Sequence, residues 1–128
     1  MIVLDTHAFV WWAGGSSKLS AAARRAITAS KRRGLPAICL WEVAMLVERQ
    51  RLELDRDLSD WLSDAIGLEG LEVLPMTADI AVRSTRLSQG FHGDPADQLI
   101  VATAIVFGAA LVTRDERIKR FGGVKTIW

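Results

Sequence analysis

With a single cysteine, Cys39, the chain cannot form an internal disulfide. Its stability must come from its core, and the expected compartment is a reducing one, the cytoplasm. Cys39 itself, between Ile38 and Leu40, reads as a small buried hydrophobe. Charge of one sign is equally scarce: 16 lysines and arginines stand against 15 aspartates and glutamates, a net +1. That balance excludes the strongly basic proteins whose nucleic-acid binding is legible from overall charge, so any ligand must be recognised by the placement of individual charges. No hydrophobic run is long: Leu99 to Val112 spans 14 residues and includes Thr103 and Gly108, against roughly 20 for a membrane helix. The apolar start, Met1 to Trp12, has no basic segment before it and contains Asp5 and His7, which argues against a secretory leader. Repeats, linkers and low-complexity tracts are missing too, so residues 1–128 read as one domain.

What the chain does have is short apolar runs alternating with helical patterns. The expected strands are Ile2 to Leu4, Ala37 to Leu40 after Pro36, Leu71 to Leu74, Ala109 to Val112 and Val124 to Ile127. None alternates polar with apolar residues, as expected of strands covered on both faces. Between them, Ser20 starts a helix expected to run to Gly34 with Lys31, Arg32 and Arg33 in its last turn. Asp57 caps a second that closes at Gly67, Thr77 caps a third, and Asp94 followed by Pro95 opens a fourth. The alternation implies an α/β fold, a three-layer α/β/α sandwich around a mostly parallel sheet of four or five strands.

Carboxylates fall at the ends of these strands. Asp5 follows the first, Glu42 the second by two residues and Asp115 the fourth by three, while Asp97 lies in the first turn of the helix opened by Asp94. In an open parallel sheet the strand ends share one edge, outside which ligands bind. Four converging acids repel one another unless a cation neutralises them. Oxygen donors without a cysteine or histidine cluster select a hard ion, Mg²⁺ or Mn²⁺, and an open site of this kind can hold one or two. Such ions lower the pKa of bound water and clamp a phosphoryl displacement. Each acid also has a structural reading: Asp94, Asp97 and Asp115 as helix-start groups, Glu42 as a partner of a helix dipole, Asp5 as a turn residue.

The segments Ile2 to His7, Ile38 to Ala44, Asp94 to Ala104 and Leu111 to Asp115 resemble the PIN-domain family, and within it the VapC-type toxins of bacterial toxin-antitoxin pairs. The block Asp94-Pro95-Ala96-Asp97 is the most specific of the four. The resemblance implies a PIN-like fold and makes Asp5, Glu42, Asp97 and Asp115 the catalytic, metal-binding acids. Thr6, Asp94 and Thr113 would be supporting groups. It further implies an Mg²⁺- or Mn²⁺-dependent endoribonuclease that leaves 5′-phosphate and 3′-hydroxyl ends, works as a homodimer and is inhibited by a cognate VapB-like antitoxin. Two positions depart from the pattern: Cys39 falls where many members have serine, and Gln98 where many have arginine.

Possible binding surfaces are few. From Lys18 to Arg33 there are six basic residues and no acid, which reads either as a solvated helix face or as a strip that tracks RNA phosphates. Arg114, beside Asp115, is the better candidate for an RNA contact. Trp11 and Trp12 cannot both face the core, so one is expected to line a groove. His7 is expected to make a polar contact near the site. Competing functions are another Mg²⁺ phosphohydrolase and a non-catalytic PIN-like module that binds partners. A haloacid dehalogenase-like phosphatase would need an aspartate where His7 stands, and a receiver-like domain would need a second acid beside Asp5.

Overall fold

Five short strands, β1 (Ile2–Leu4), β2 (Arg33–Pro36), β3 (Leu71–Leu74), β4 (Ala110–Val112) and β5 (Thr126–Ile127), form one sheet. Their order is β3-β2-β1-β4-β5 and every neighbouring pair is parallel. This computed structural model describes residues 1–88 and 91–128. Within them the helices are α1 (Thr6–Ala13), α2 (Ala21–Ala29), α3 (Ile38–Glu48), α4 (Leu58–Ile66), α5 (Ala78–Ser84), α6 (Pro95–Phe107) and α7 (Glu116–Phe121). The architecture is the expected α/β sandwich, with the sheet wholly parallel. No helix among the described residues is long and apolar enough to cross a membrane.

The second strand lies earlier than its apolar pattern indicated. Residues Ala37 to Leu40 are not a strand: Ile38 opens α3, and the strand is Arg33–Pro36. Gly34, Leu35 and Pro36 are the buried part of that strand. A Cβ on Gly34 would come within 2.6 Å of the Leu74 side chain, so the glycine permits close packing here and does not end a helix. Pro36, with no N–H to give a ladder, occupies the last strand position. The preceding helix therefore stops at Ala29, four residues before the strand, and Lys31, Arg32 and Arg33 lie outside it. The complement of cations to helix end is still made, but from β2. Arg33 donates from Nε to the carbonyl of Ile27 (2.8 Å) and from Nη1 to that of Glu69 (2.9 Å).

α6 is the central helix. Asp94 caps it by accepting from the backbone N–H groups of Ala96 (2.9 Å) and Asp97 (3.2 Å), Pro95 fills its first position, and Gly108 closes it at φ +61°. Ile100, Val101 and Ala104 are fully buried. They join Val3, Leu4, Leu35, Leu111 and Val112 from the strands in one core cluster. Burial at about 1.5–3 kcal/mol per large apolar side chain makes this cluster the source of stability, and it fixes which way the first turn of α6 faces.

The strand order sets the site. From β1 the chain builds β2 and β3 on one side, then crosses back to place β4 and β5 on the other. Between β1 and β4 the direction of winding reverses, and crevices at such reversals lie beyond the carboxyl ends of the strands. Asp5 follows β1 and Thr113 follows β4 at that point, tied by a bond from the Asp5 N–H to the Val112 carbonyl (3.0 Å).

Candidate metal centre

Asp5 is fixed from two sides. Its Oδ1 accepts the Thr6 N–H at 2.7 Å as the cap of α1, and its Oδ2 accepts the Thr113 hydroxyl at 2.5 Å. One residue further, the Thr6 hydroxyl donates to Glu42 Oε1 at 2.5 Å. Glu42 comes one turn into α3, not from a loop after a strand as its sequence position indicated. The helix carries it to the strand edge because Cys39 and Val43, on the same side of α3, are fully buried against the core. Carboxylate oxygens of Asp5, Glu42 and Asp97 lie within 4.8 Å of one another.

Asp97 belongs to a second cluster as well, with His92 and Asp115. His92 Nε2 is 2.6 Å from Asp97 Oδ2, and its ring stacks on Phe91 at 4.4 Å between centroids. Gln98, at one of the two departures from the family pattern, donates its amide to the His92 carbonyl at 3.2 Å. Asp115 caps α7, its Oδ1 accepting from the N–H groups of Arg117 (2.8 Å) and Ile118 (3.3 Å). Its Oδ2 faces the Arg117 guanidinium at 3.3 Å, and the same guanidinium is 3.5 Å from Asp97 Oδ2. Oδ1 thus makes the cap and Oδ2 the ion pair with Arg117.

The electrostatics of the two clusters differ. Burial, opposed by the Thr113 hydroxyl, pushes Asp5 up to about 6. Burial likewise pushes Glu42 up to about 7, against the pull of the Thr6 hydroxyl. Asp97 is raised by burial, with the His92 bond opposing it. At Asp115 burial is outweighed by Arg117 and two backbone N–H groups, and its pKa is lowered. Among the described residues no lysine or arginine pairs with Asp5 or Glu42. Two partly buried carboxylates without a paired lysine or arginine, Asp5 and Glu42, beside a third, Asp97, that Arg117 reaches only at 3.5 Å, are a donor set that suits a hard divalent cation.

These groups line a cleft of about 420 Å³ with His7, Asp94, Arg114 and Trp128. A PIN domain model matches residues 2–124 of the chain. The chain belongs to the PIN domain family. This PIN domain is also similar to Ribonuclease VapC22 of Mycobacterium tuberculosis, at 36% identity over 99% of the chain and 98% of that protein. Its fold is similar to VapBC2 from Rickettsia felis bound to a promoter DNA fragment, with TM-score 0.72 and 20% identity over 98% of this chain and 97% of that one. DNA-bound VapBC from Salmonella typhimurium is comparable, with TM-score 0.70 and 22% identity over 98% and 97% of the two chains.

Of the residues singled out from sequence, Asp5, Glu42, Asp97, Asp115, Thr6, Thr113, Asp94 and Arg114 all lie at this one edge. The basic stretch does not. Arg32 pairs with Glu72 at 2.9 Å, Arg24 donates to the Ser16 carbonyl at 2.8 Å, and Arg33 is spent on helix and turn carbonyls. Trp12 lies against Arg33, at 5.2 Å from its guanidinium carbon, while Trp11 is buried near His7 and Arg114. His7 is exposed with its ring 5.4 Å from that of Trp11. Sequence reasoning missed His92, Arg117 and Trp128. His92 and Arg117 carried a faint signal, each being within five residues of an acid already chosen. Trp128 had none, since only strand pairing brings it to the cleft.

Proposed function

We propose that residues 1–128 act as a single domain, an Mg²⁺- or Mn²⁺-dependent endoribonuclease. It would be the cytoplasmic toxin of a toxin-antitoxin pair, working as a homodimer and held inactive by a VapB-like antitoxin. The observation that carries the reading is the convergence of Asp5, Glu42 and Asp97 from three separate elements within 4.8 Å, with no lysine or arginine paired to Asp5 or Glu42 among the described residues. Family membership supports the chemistry, and the 36% identical relative is itself named a ribonuclease. The fold neighbours named as toxin-antitoxin complexes support the pairing with an antitoxin.

Asp5, Glu42 and Asp97 would hold the ion, with Asp115 on its open side. Bound there, a divalent ion supplies a Lewis acid that lowers the pKa of water and neutralises charge on a scissile phosphate. The protein's own contribution is positional. Thr113 and Thr6 hold the Asp5 and Glu42 carboxylates in fixed rotamers, and Asp94 starts α6 so that Asp97 faces inward. Arg114 and Arg117 are the cations beside the cleft that can meet phosphates flanking the one being cut.

The test is cleavage of cellular RNA by the purified protein with Mg²⁺, with Mn²⁺ and with excess EDTA, followed by sequencing of the new 5′ ends. Cleavage that needs the ion and disappears in Asp97→Asn is expected. Undiminished cleavage by Asp97→Asn, or in EDTA, would contradict it.

A further inference from the structure

Six carboxylates and two guanidinium groups line the cleft, those of Glu116 and Asp94 included. A single divalent ion leaves that lining net negative, so attraction for phosphate alone does not hold a polyanion there. A contact indifferent to charge is needed, and the cleft contains one. β5 pairs with β4 in the register Leu111↔Thr126 and Val112↔Ile127, and the Thr113 N–H donates to the Ile127 carbonyl at 3.1 Å. Trp128 therefore emerges at the strand edge directly beside Thr113, and it lines the same cleft as Asp5, Asp97 and Asp115. It keeps 37% of its surface exposed, while Trp11 behind it keeps 7%. The two indoles are 5.8 Å apart, and Trp11 is held in turn by His7 at 5.4 Å and by the Arg114 guanidinium at 4.5 Å.

We propose that Trp128, backed by Trp11, is a stacking platform for an RNA base next to the scissile bond, and that Arg114 beside it receives the adjoining phosphate. The proposal rests on the ribonuclease reading and adds a subsite to it. An indole held at one side by a buried neighbour, here tilted at 55° to it, and partly open to water offers a surface on which a nucleobase can stack, at about 1–3 kcal/mol per base and with little dependence on base identity. Its expected role is to give affinity and register along the strand, with base choice left to other contacts. Trp41, 55% exposed on α3, lines a neighbouring groove with Met45 and Leu99 that shares Glu42 and Asp94 with the cleft but does not include Asp5 or Asp115, and among the described residues no second indole packs against it.

The experiment compares the parent protein, Trp128→Leu and Trp128→Phe on short RNA oligonucleotides, either intact or carrying one abasic ribose at each position flanking the cut. Leucine keeps apolar packing on Trp11 and removes the stacking face; phenylalanine keeps a smaller one. The parent is expected to lose roughly tenfold in kcat/KM, mostly through KM, when one particular flanking base is removed. Trp128→Leu should show that loss on intact RNA and be indifferent to the abasic position, and Trp128→Phe should recover much of it. Equal sensitivity to the abasic position in Trp128→Leu and parent overturns the platform and leaves the indole pair as a face for protein docking. Fluorescence anisotropy of labelled oligonucleotides in Ca²⁺ reads the same base preference without cleavage. If the parent cleaves no RNA, the ribonuclease reading fails on its own, and the anisotropy arm still decides the platform: base-dependent binding lost in Trp128→Leu supports it, and binding blind to the abasic site overturns it.

Discussion

The two sides of the cleft solve the problem of clustered acids differently. On the Asp5–Glu42 side the carboxylates are partly buried, held by threonine hydroxyls and a backbone N–H, and pushed up to about 6 and about 7. On the Asp115 side the carboxylate is 22% exposed, caps α7, faces Arg117 and is shifted down. Asp97 stands between them, within reach of both. One side is thus satisfied as a helix cap with an ion pair, and the other carries carboxyls that must either hold a proton or meet an added cation. Proximity of acids does not by itself mark a metal centre; burial without a counter-charge does.

The largest effect should come from the residue the two sides share. Asp97→Asn is expected to lower RNA cleavage by at least about a hundredfold, because it removes an ion ligand common to both clusters; single-turnover rates in Mn²⁺ would show it. Next comes a contrast in stability without metal. Both raised carboxylates lie above their unfolded values of 3.8 and 4.5, so their contribution is fully present at low pH. It is lost as pH rises through about 6 for Asp5 and about 7 for Glu42. In EDTA the melting temperature should therefore fall by several degrees between pH 5 and pH 8, given roughly 1.4 kcal/mol per pKa unit. Asp5→Asn with Glu42→Gln should flatten that slope and raise the melting temperature at pH 8; a slope unchanged in the double variant would break the comparison.

A smaller effect is expected at His92, whose bond to Asp97 fixes the carboxylate that both clusters use. His92→Ala should weaken Mn²⁺ binding by about 10- to 100-fold with little change in fold, and titration calorimetry would register it. The smallest lies on the satisfied side. Asp115→Ala should cost about 1 kcal/mol of stability through the lost cap of α7, at pH 5 and pH 8 alike, and a denaturant series would separate this flat loss from the pH-dependent one.

Much of this was legible in the sequence, for identifiable reasons. Asp94-Pro95 and Gly108 mark α6 at both ends because a cap, a proline at the first position and a left-handed glycine are local requirements. Asp57 with Gly67 and Thr77 worked in the same way. The second strand was misplaced because Arg33-Gly34-Leu35-Pro36 has no local strand character. What makes it a strand is the space beside Leu74 and the parallel neighbours Leu71–Leu74 and Ile2–Leu4. The strand-edge rule brings Asp5, Glu42 and Asp115 to one edge and the helix start adds Asp97; all four line the cleft, although Glu42 arrives on a helix and Asp115 groups with Asp97 and His92. Trp128 was not legible, since a residue placed by edge-strand pairing depends on long-range contacts, and of Arg117 only its nearness to Asp115 was, not its reach to Asp97.

On this reading the uncompensated carboxylates of the Asp5–Glu42 side hold a divalent cation. Calorimetric titration of Mn²⁺ into the metal-free protein at pH 5.5 and at pH 8 tests it directly. Affinity is expected to rise steeply with pH as the two carboxyls ionise, with proton release at the lower pH and no binding in the Asp5→Asn, Glu42→Gln double variant. Binding of equal strength at both pH values, or retained in the double variant, would contradict it.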